Sequence, residues 1–323
     1  MVTLIILFFL VVFAFPEKLY VIDSLLVLSV VFSPAAVLLY ERGNVDLVFF
    51  ILCGLAIMLV RRSPAWTVAV LSIAAIFKMF PFFGVGIFLR ENKQDFYKYL
   101  FASALIFGVY IALTYEGLSG IWNLTARGTF LSYGDYIIFD LYHAYFRYYL
   151  LKLMTEAQVI AFMKIVPHLI AMTVLSVVFW LGIRSKITLA VDSERNLTAF
   201  RMGACIYIGT FLLGNNWDYR LSFLIFTIPQ ISRWIFSSGK TTKILVALIF
   251  AAMLASCWYT ALYKYFFLVT NKAYALQFFT FDETMNWILF AGLAYLLTVT
   301  APQWFRSFSW NPFSPEKMDG DLD

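Results

Sequence analysis

Long apolar runs broken by short polar clusters limit what this chain can fold into. The clearest case is Glu41-Arg42-Gly43-Asn44-Val45-Asp46, which carries three charges in six residues between the runs Val31 to Tyr40 and Leu47 to Val60. In a chain of this pattern such a cluster lies in water at a bilayer surface or faces a polar cavity. The other polar clusters are then read by asking which share its side of the membrane.

Composition agrees with a helical membrane protein. The chain is 62% hydrophobic and 13% charged, whereas soluble domains run nearer 45–50% and about 25%. The runs are rich in Leu, Ile and Phe and lack the roughly 10-residue alternation of an outer-membrane barrel. The expected fold is all-α and polytopic, with about 10 to 11 transmembrane segments. A net charge of +5 follows from basic cytoplasmic loops and implies no nucleic-acid partner. Cys53, Cys205 and Cys257 lie in apolar runs without paired spacing, as small core residues do. Neither they nor the two histidines, His143 and His168, offer metal-ligand spacing, so no metal is expected.

The candidate spans are 1–15, 19–39, 45–60, 65–77 with 82–90, 98–113, 159–183, 202–214, 219–235, 243–268 and 286–300. The domain expectation is a membrane domain over 1–301, with an outer loop at 114–158, and a loose cytoplasmic tail over 302–323. With Arg61 and Arg62 in the cytoplasm, alternation places 15 of the 24 basic residues on that side, among them Lys18, Arg90, Arg201, Arg233 and Arg306. Arg42, Lys78, Arg147 and Arg220 fall outside. The alternation requires a hairpin at Lys78-Met79-Phe80-Pro81, where Pro81 removes a donor and clashes with the preceding turn. The first run, Met1 to Phe15, has no basic leader and at about 1.5 Å per residue barely crosses a bilayer. It reads as the remnant of a longer chain.

The outer face gathers the polar residues that need explaining. Asn44 and Asp46 open a span, where simple helix capping is the plain alternative. Lys78 tips the apolar hairpin, and either snorkels to water or presents a fixed charge to a lipid phosphate. Asp218 and Arg220 follow Asn215 and Asn216, as a local ion pair or as part of a polar-ligand site. The long loop is crowded with Tyr and Phe, and places Asp140, His143 and Arg147 at i, i+3 and i+7, on one face of an expected interfacial helix. Asp282 and Glu283 belong to the last outer loop. Phosphate-cradling Gly loops and nucleophile elbows are missing from the sequence, so an outward-facing enzyme here would need a lipid-linked donor.

Ser33-Pro34, Glu41 to Asp46, a span, a basic turn and Phe77-Lys78-Met79-Phe80-Pro81 together resemble glycosyltransferase family 87. These are polyprenol-phosphate-mannose-dependent mannosyltransferases of the GT-C superfamily, with a pattern near RGN-x-D followed by LK-x-x-P. The segment Asn216-Trp217-Asp218-Tyr219-Arg220 is similar to a motif of bacterial members, and the resemblance covers roughly 30–235. It implies a GT-C-like fold in a bacterial inner (plasma) membrane. The implied reaction passes a hexose, mannose first, from a polyprenyl-phosphate donor to a glycan or glycolipid acceptor at the outer face. No cofactor is implied; the lipid-linked sugar is a substrate, and membrane lipids are the remaining partners.

On that reading a carboxylate takes the acceptor proton and a cation steadies the departing phosphate. Asp46 and Asp218 are the candidate catalytic acids, and Lys78 and Arg220 the candidate donor-phosphate ligands. Arg42, Asn44, Asn216, Asp140 and His143 are candidate substrate contacts. One departure stands out: the superfamily's principal acid lies in the first outer loop, whereas the acids before Glu41 are only Glu17 and Asp23. The expectation is therefore a chain lacking an N-terminal module. The alternatives are an inactive or accessory membrane protein, or a transporter of a polar lipid or solute.

Overall fold

A computed structural model describes residues 1–124, 128, 130–270 and 275–307. It is about 81% helical with almost no strand. The chain starts with α1 (Val2–Ala14), α2 (Val21–Val31) and α3 (Pro34–Glu41). The expected span 19–39 is thus two helices, bent by 61° at Ser33-Pro34. Ser33 Oγ accepts the Ala36 N–H at 3.3 Å, and Pro34 occupies a first-turn position where its missing donor costs nothing.

Next come α4 (Asp46–Leu59) and α5 (Pro64–Phe77), which pack against each other. Lys78 is extended, with φ −144° and ψ 130°, and a 3₁₀ helix follows over Phe80–Arg90. The chain therefore breaks at Lys78, ahead of Pro81 as the sequence indicates, but its second limb is a 3₁₀ helix. A second 3₁₀ helix, Asp218–Thr227, leads into α11 (Ile228–Ser237). At about 2.0 Å per residue such a segment reaches farther than an α-helix of equal length.

The middle of the chain holds α6 (Lys93–Leu124), β1 (Ser132–Tyr133), α7 (Ile137–Leu141), α8 (His143–Leu150) and α9 (Glu156–Arg184). After α9 come α10 (Glu194–Leu212) and β2 (Asn216–Trp217), with α12 (Lys240–Thr270), α13 (Ala275–Val299) and α14 (Gln303–Arg306) after α11. Three expectations are corrected here. The expected outer loop 114–158 is helical at both edges, because α6 runs on to Leu124 and α9 starts at Glu156. The single interfacial helix is broken at Tyr142, whose φ of −97° and ψ of 14° are non-helical. Asp140 therefore lies on a different helix from His143 and Arg147. The tail is not loose over 302–307, since Arg306 donates to the Ser185 carbonyl at 2.7 Å and Trp304 to that of Glu91 at 3.2 Å. Residues 308–323 lie outside the described residues.

Helix α10 forms the axis of the bundle. It is buried on every side from Asn196 to Gly203, and its polar groups there find partners, as Asn196 does in the Glu17 N–H and the Lys18 carbonyl. Both 3₁₀ helices and α13 pack on it. Stacked rings seal the layers: Phe50 on Phe226 and Phe211 on Phe290, each with centroids 4.4 Å apart.

Among the described residues, three helices are long and apolar enough to cross a membrane, within Lys93–Gly117, Glu156–Arg184 and Lys240–Phe266. The bent α2–α3 pair makes a fourth if it counts as one span. This is fewer than the ten or eleven crossings read from the apolar runs. For α4 and α5 the physical reason is length: they have 14 residues each, or about 21 Å, short of a hydrocarbon core of about 30 Å.

Polar contacts gather at two ends. At one, Lys18 pairs with Asp192 at 3.6 Å, Arg233 with Asp23 at 2.9 Å, and Gln230 and Trp234 both donate to the Ala190 carbonyl. The other end carries Asp46, Lys78, Asn216 and Arg220.

Candidate functional site

The site begins with the turn before α4. The Asn44 side-chain oxygen accepts the Asp46 N–H at 3.0 Å, which starts the helix and brings the Asp46 carboxylate inward, where its side chain is 0% exposed. A bare carboxylate there would be costly, and two cations reach it. Lys78 Nζ lies 2.5 Å from Oδ1, delivered by the break after α5. Arg220 Nε lies 3.4 Å from Oδ2, delivered by the second 3₁₀ helix.

Arg220 is fixed from three sides. Its Nη1 donates to Asn216 Oδ1, and its guanidinium lies over the Phe80 ring with 4.9 Å to the centroid. Asn216 in turn donates to the Thr210 carbonyl at 2.5 Å and pairs with Tyr133 across the β1–β2 ladder. Arg42 stands over the Trp217 ring, 5.8 Å from its centroid. The structure thus brings together Arg42, Asn44, Asp46, Lys78, Asn216 and Arg220. The local ion pair considered for Asp218 and Arg220 is not what forms, because Arg220 turns to Asp46 instead.

The cations remain partly open, with side-chain exposures of 27% for Lys78 and 18% for Arg220. An ammonium has three N–H donors and a guanidinium five, so several are left over after the contacts just described. Two positive groups meet one buried carboxylate, and Arg42 stands over the neighbouring Trp217 ring. That balance suits an anion with several acceptor oxygens.

Asp218 is buried, its N–H is bound by the Leu131 carbonyl at 2.9 Å, and its Oδ1 has no hydrogen-bond partner among the described residues. It is within electrostatic range of Asp282, and both are within range of Glu283. Among the described residues no group of three or more His, Cys, Asp or Glu side chains could hold a metal ion.

The loop residues are placed elsewhere. Asp140 lies on α7, which packs on α13, where Tyr142 Oη meets Thr280 Oγ1 at 2.8 Å. Arg147 pairs with Glu156 at the start of α9. The His143 side chain lies outside the described residues.

Sequence reasoning passed over a second pair. Asp135 is buried and engages His168 Nδ1, while the next residue, Tyr136, donates to the Lys164 carbonyl one helical turn earlier. Two glycines make this possible. A Cβ on Gly134, which has φ +144°, would lie 1.9 Å from the Gly214 oxygen, and Gly214 itself has φ +98°. The available signal was Gly134-Asp135, a turn dipeptide beside an otherwise aromatic stretch.

No family model, curated protein or solved structure matches the chain.

Proposed function

We propose that this chain is a membrane glycosyltransferase of GT-C type that takes a hexose, mannose first, from a polyprenyl-phosphate donor. The acceptor is a glycan or glycolipid at the extracytoplasmic face of a bacterial plasma membrane. One observation carries the reading: Lys78 and Arg220, from distant parts of the chain, share the buried Asp46 while keeping outward donors. Such a cation pair is suited to a phosphate whose negative charge grows as the sugar leaves. Asp46 then serves by holding the cations in place, and Arg42 and Asn216 border the same anion.

The test uses the full chain in lipid nanodiscs with radiolabelled polyprenyl-phosphate mannose and a bacterial glycolipid extract. Label is expected to move into the glycolipid fraction, and Lys78→Ala to reduce that transfer at least tenfold with unchanged expression. Absence of both transfer and donor binding would sink the proposal.

A non-catalytic phosphate-lipid binder is the second reading. It is favoured by the burial of Asp46, 0% exposed with a cation on each oxygen, which keeps that carboxylate away from an acceptor hydroxyl. Donor binding without transfer would select it.

A further inference from the structure

We propose that Asp135 and His168 are an acid–base pair that takes the proton from a hydroxyl-bearing acceptor at the Lys78–Arg220 end of the bundle. The inference rests on the transfer reading above and supplies the group that reading lacks. A base must touch the acceptor and offer it a free lone pair. Asp46 has both oxygens on cations, and Asp218 is only 3% exposed. His168, by contrast, has a side chain 43% exposed.

The geometry is that of an oriented imidazole. The buried Asp135 carboxylate engages Nδ1, which fixes the tautomer with the proton on that nitrogen and leaves the Nε2 lone pair outward. Tyr136 sets its ring edge-on to the imidazole, with centroids 4.9 Å apart. The carboxylate is fixed by its backbone: the Asp135 N–H donates to the Phe211 carbonyl at 3.1 Å. Asn216, the Arg220 partner, hangs from the adjacent Thr210 carbonyl. The pair and the cation site are therefore built on one turn, at one end of α10. The ionisable groups around the imidazole are Asp135 and Tyr136 of the loop and Lys164 of its own helix. Asp282 and Glu283 lie on the first half of α13, which packs along α9. Burial pushes the Asp135 carboxyl up to about 6, against the opposing pull of the His168 hydrogen bond and charge.

In the step itself, the acceptor oxygen bonds to the sugar anomeric carbon as the bond from that carbon to the phosphate oxygen breaks. The electron pair of the broken bond leaves with the polyprenyl phosphate, whose charge Lys78 and Arg220 meet. The acceptor proton passes to His168 Nε2 and from there to water.

Two measurements test this on the full chain in nanodiscs. Diethyl pyrocarbonate labelling, mapped by peptide mass, is expected to modify His168 rapidly at neutral pH and at least fivefold more slowly in Asp135→Asn. His143, the only other histidine, is the internal comparator. In the transfer assay, His168→Gln is expected to lower kcat about 100-fold, within the range of general-base catalysis, with the donor KM unchanged. Asp135→Asn is expected to displace the pH profile. Wild-type transfer that survives His168→Gln overturns the pair and leaves the transfer reading standing. Absence of transfer by the wild type removes that reading and the pair with it. His168 labelling indifferent to Asp135→Asn also overturns the pair.

Discussion

A carboxylate with no access to water, such as Asp46, is held by whatever replaces its hydration. Here two side chains share that task, so their removal is cooperative. Lys78→Met or Arg220→Met leaves one cation in place and is expected to cost about 1–2 kcal/mol. The double variant strands the charge and is expected to cost about 4–5 kcal/mol, more than the singles together. Chemical unfolding of the four proteins in detergent gives the coupling; simple additivity would show that Asp46 does not depend on the pair. Asp135 gives a pH test. Its folded carboxyl, at about 6 against an ordinary 3.8, binds a proton more tightly than the unfolded chain does. The stability from that proton is complete below about pH 4 and lost as pH rises towards 6. Melting temperatures of the wild type should fall across that window, and those of Asp135→Asn should fall less.

At the scale of the element, what could be read in advance was what proline and charge dictate. The break at Lys78 was legible because Pro81 forbids a continuous helix. The 3₁₀ winding on either side of the site was not, since i,i+3 and i,i+4 bonding leave the same apolar pattern. The Ser33-Pro34 bend lay inside a run that reads as one span. Periodicity joined Asp140 to Arg147, but the chain breaks at Tyr142, whose hydroxyl is held by Thr280. For the site, the polar breaks between apolar runs and the family resemblance nominated Asp46, Lys78 and Arg220, while His168 was noticed without its partner. That pairing depends on the Gly134–Gly214 crossing, a tertiary contact between segments 80 residues apart that no local pattern reports. Gly134→Ala should therefore act well beyond one methyl group. Its Cβ would meet backbone, which cannot move aside as a flexible side chain can. Hydrogen exchange is expected to rise over 131–136 and 214–218; unchanged protection would mean the crossing does not hold the turn.

For the whole molecule, the two polar ends are the feature that composition foretold best. The ion pairs Lys18–Asp192 and Arg233–Asp23 form at one end and Lys78–Asp46–Arg220 at the other, because the buried middle of the bundle offers charges little solvent. The number of full crossings was less legible, because a run of apolar residues does not say whether its helix faces lipid or other helices. A labelling experiment checks the polarity. Val45→Cys lies at the cation end and Gly239→Cys beyond the C-terminus of α11, at the opposite end. In sealed vesicles a membrane-impermeant maleimide should reach one of them, and the other only after permeabilisation. Equal access to both from one side would refute a bundle set across the bilayer.

The paired glycines also have a mechanical meaning. Where two backbones lie against each other with no side chain between them, there is no soft layer to absorb displacement. Helix α9 grips the loop at two points, and the loop is pressed on the turn that holds Asn216 and Arg220. A neighbour leaning on the exposed flank of α9 would thus tilt the Asp46–Lys78–Arg220 cluster as a handle turns a latch, with little lost motion between.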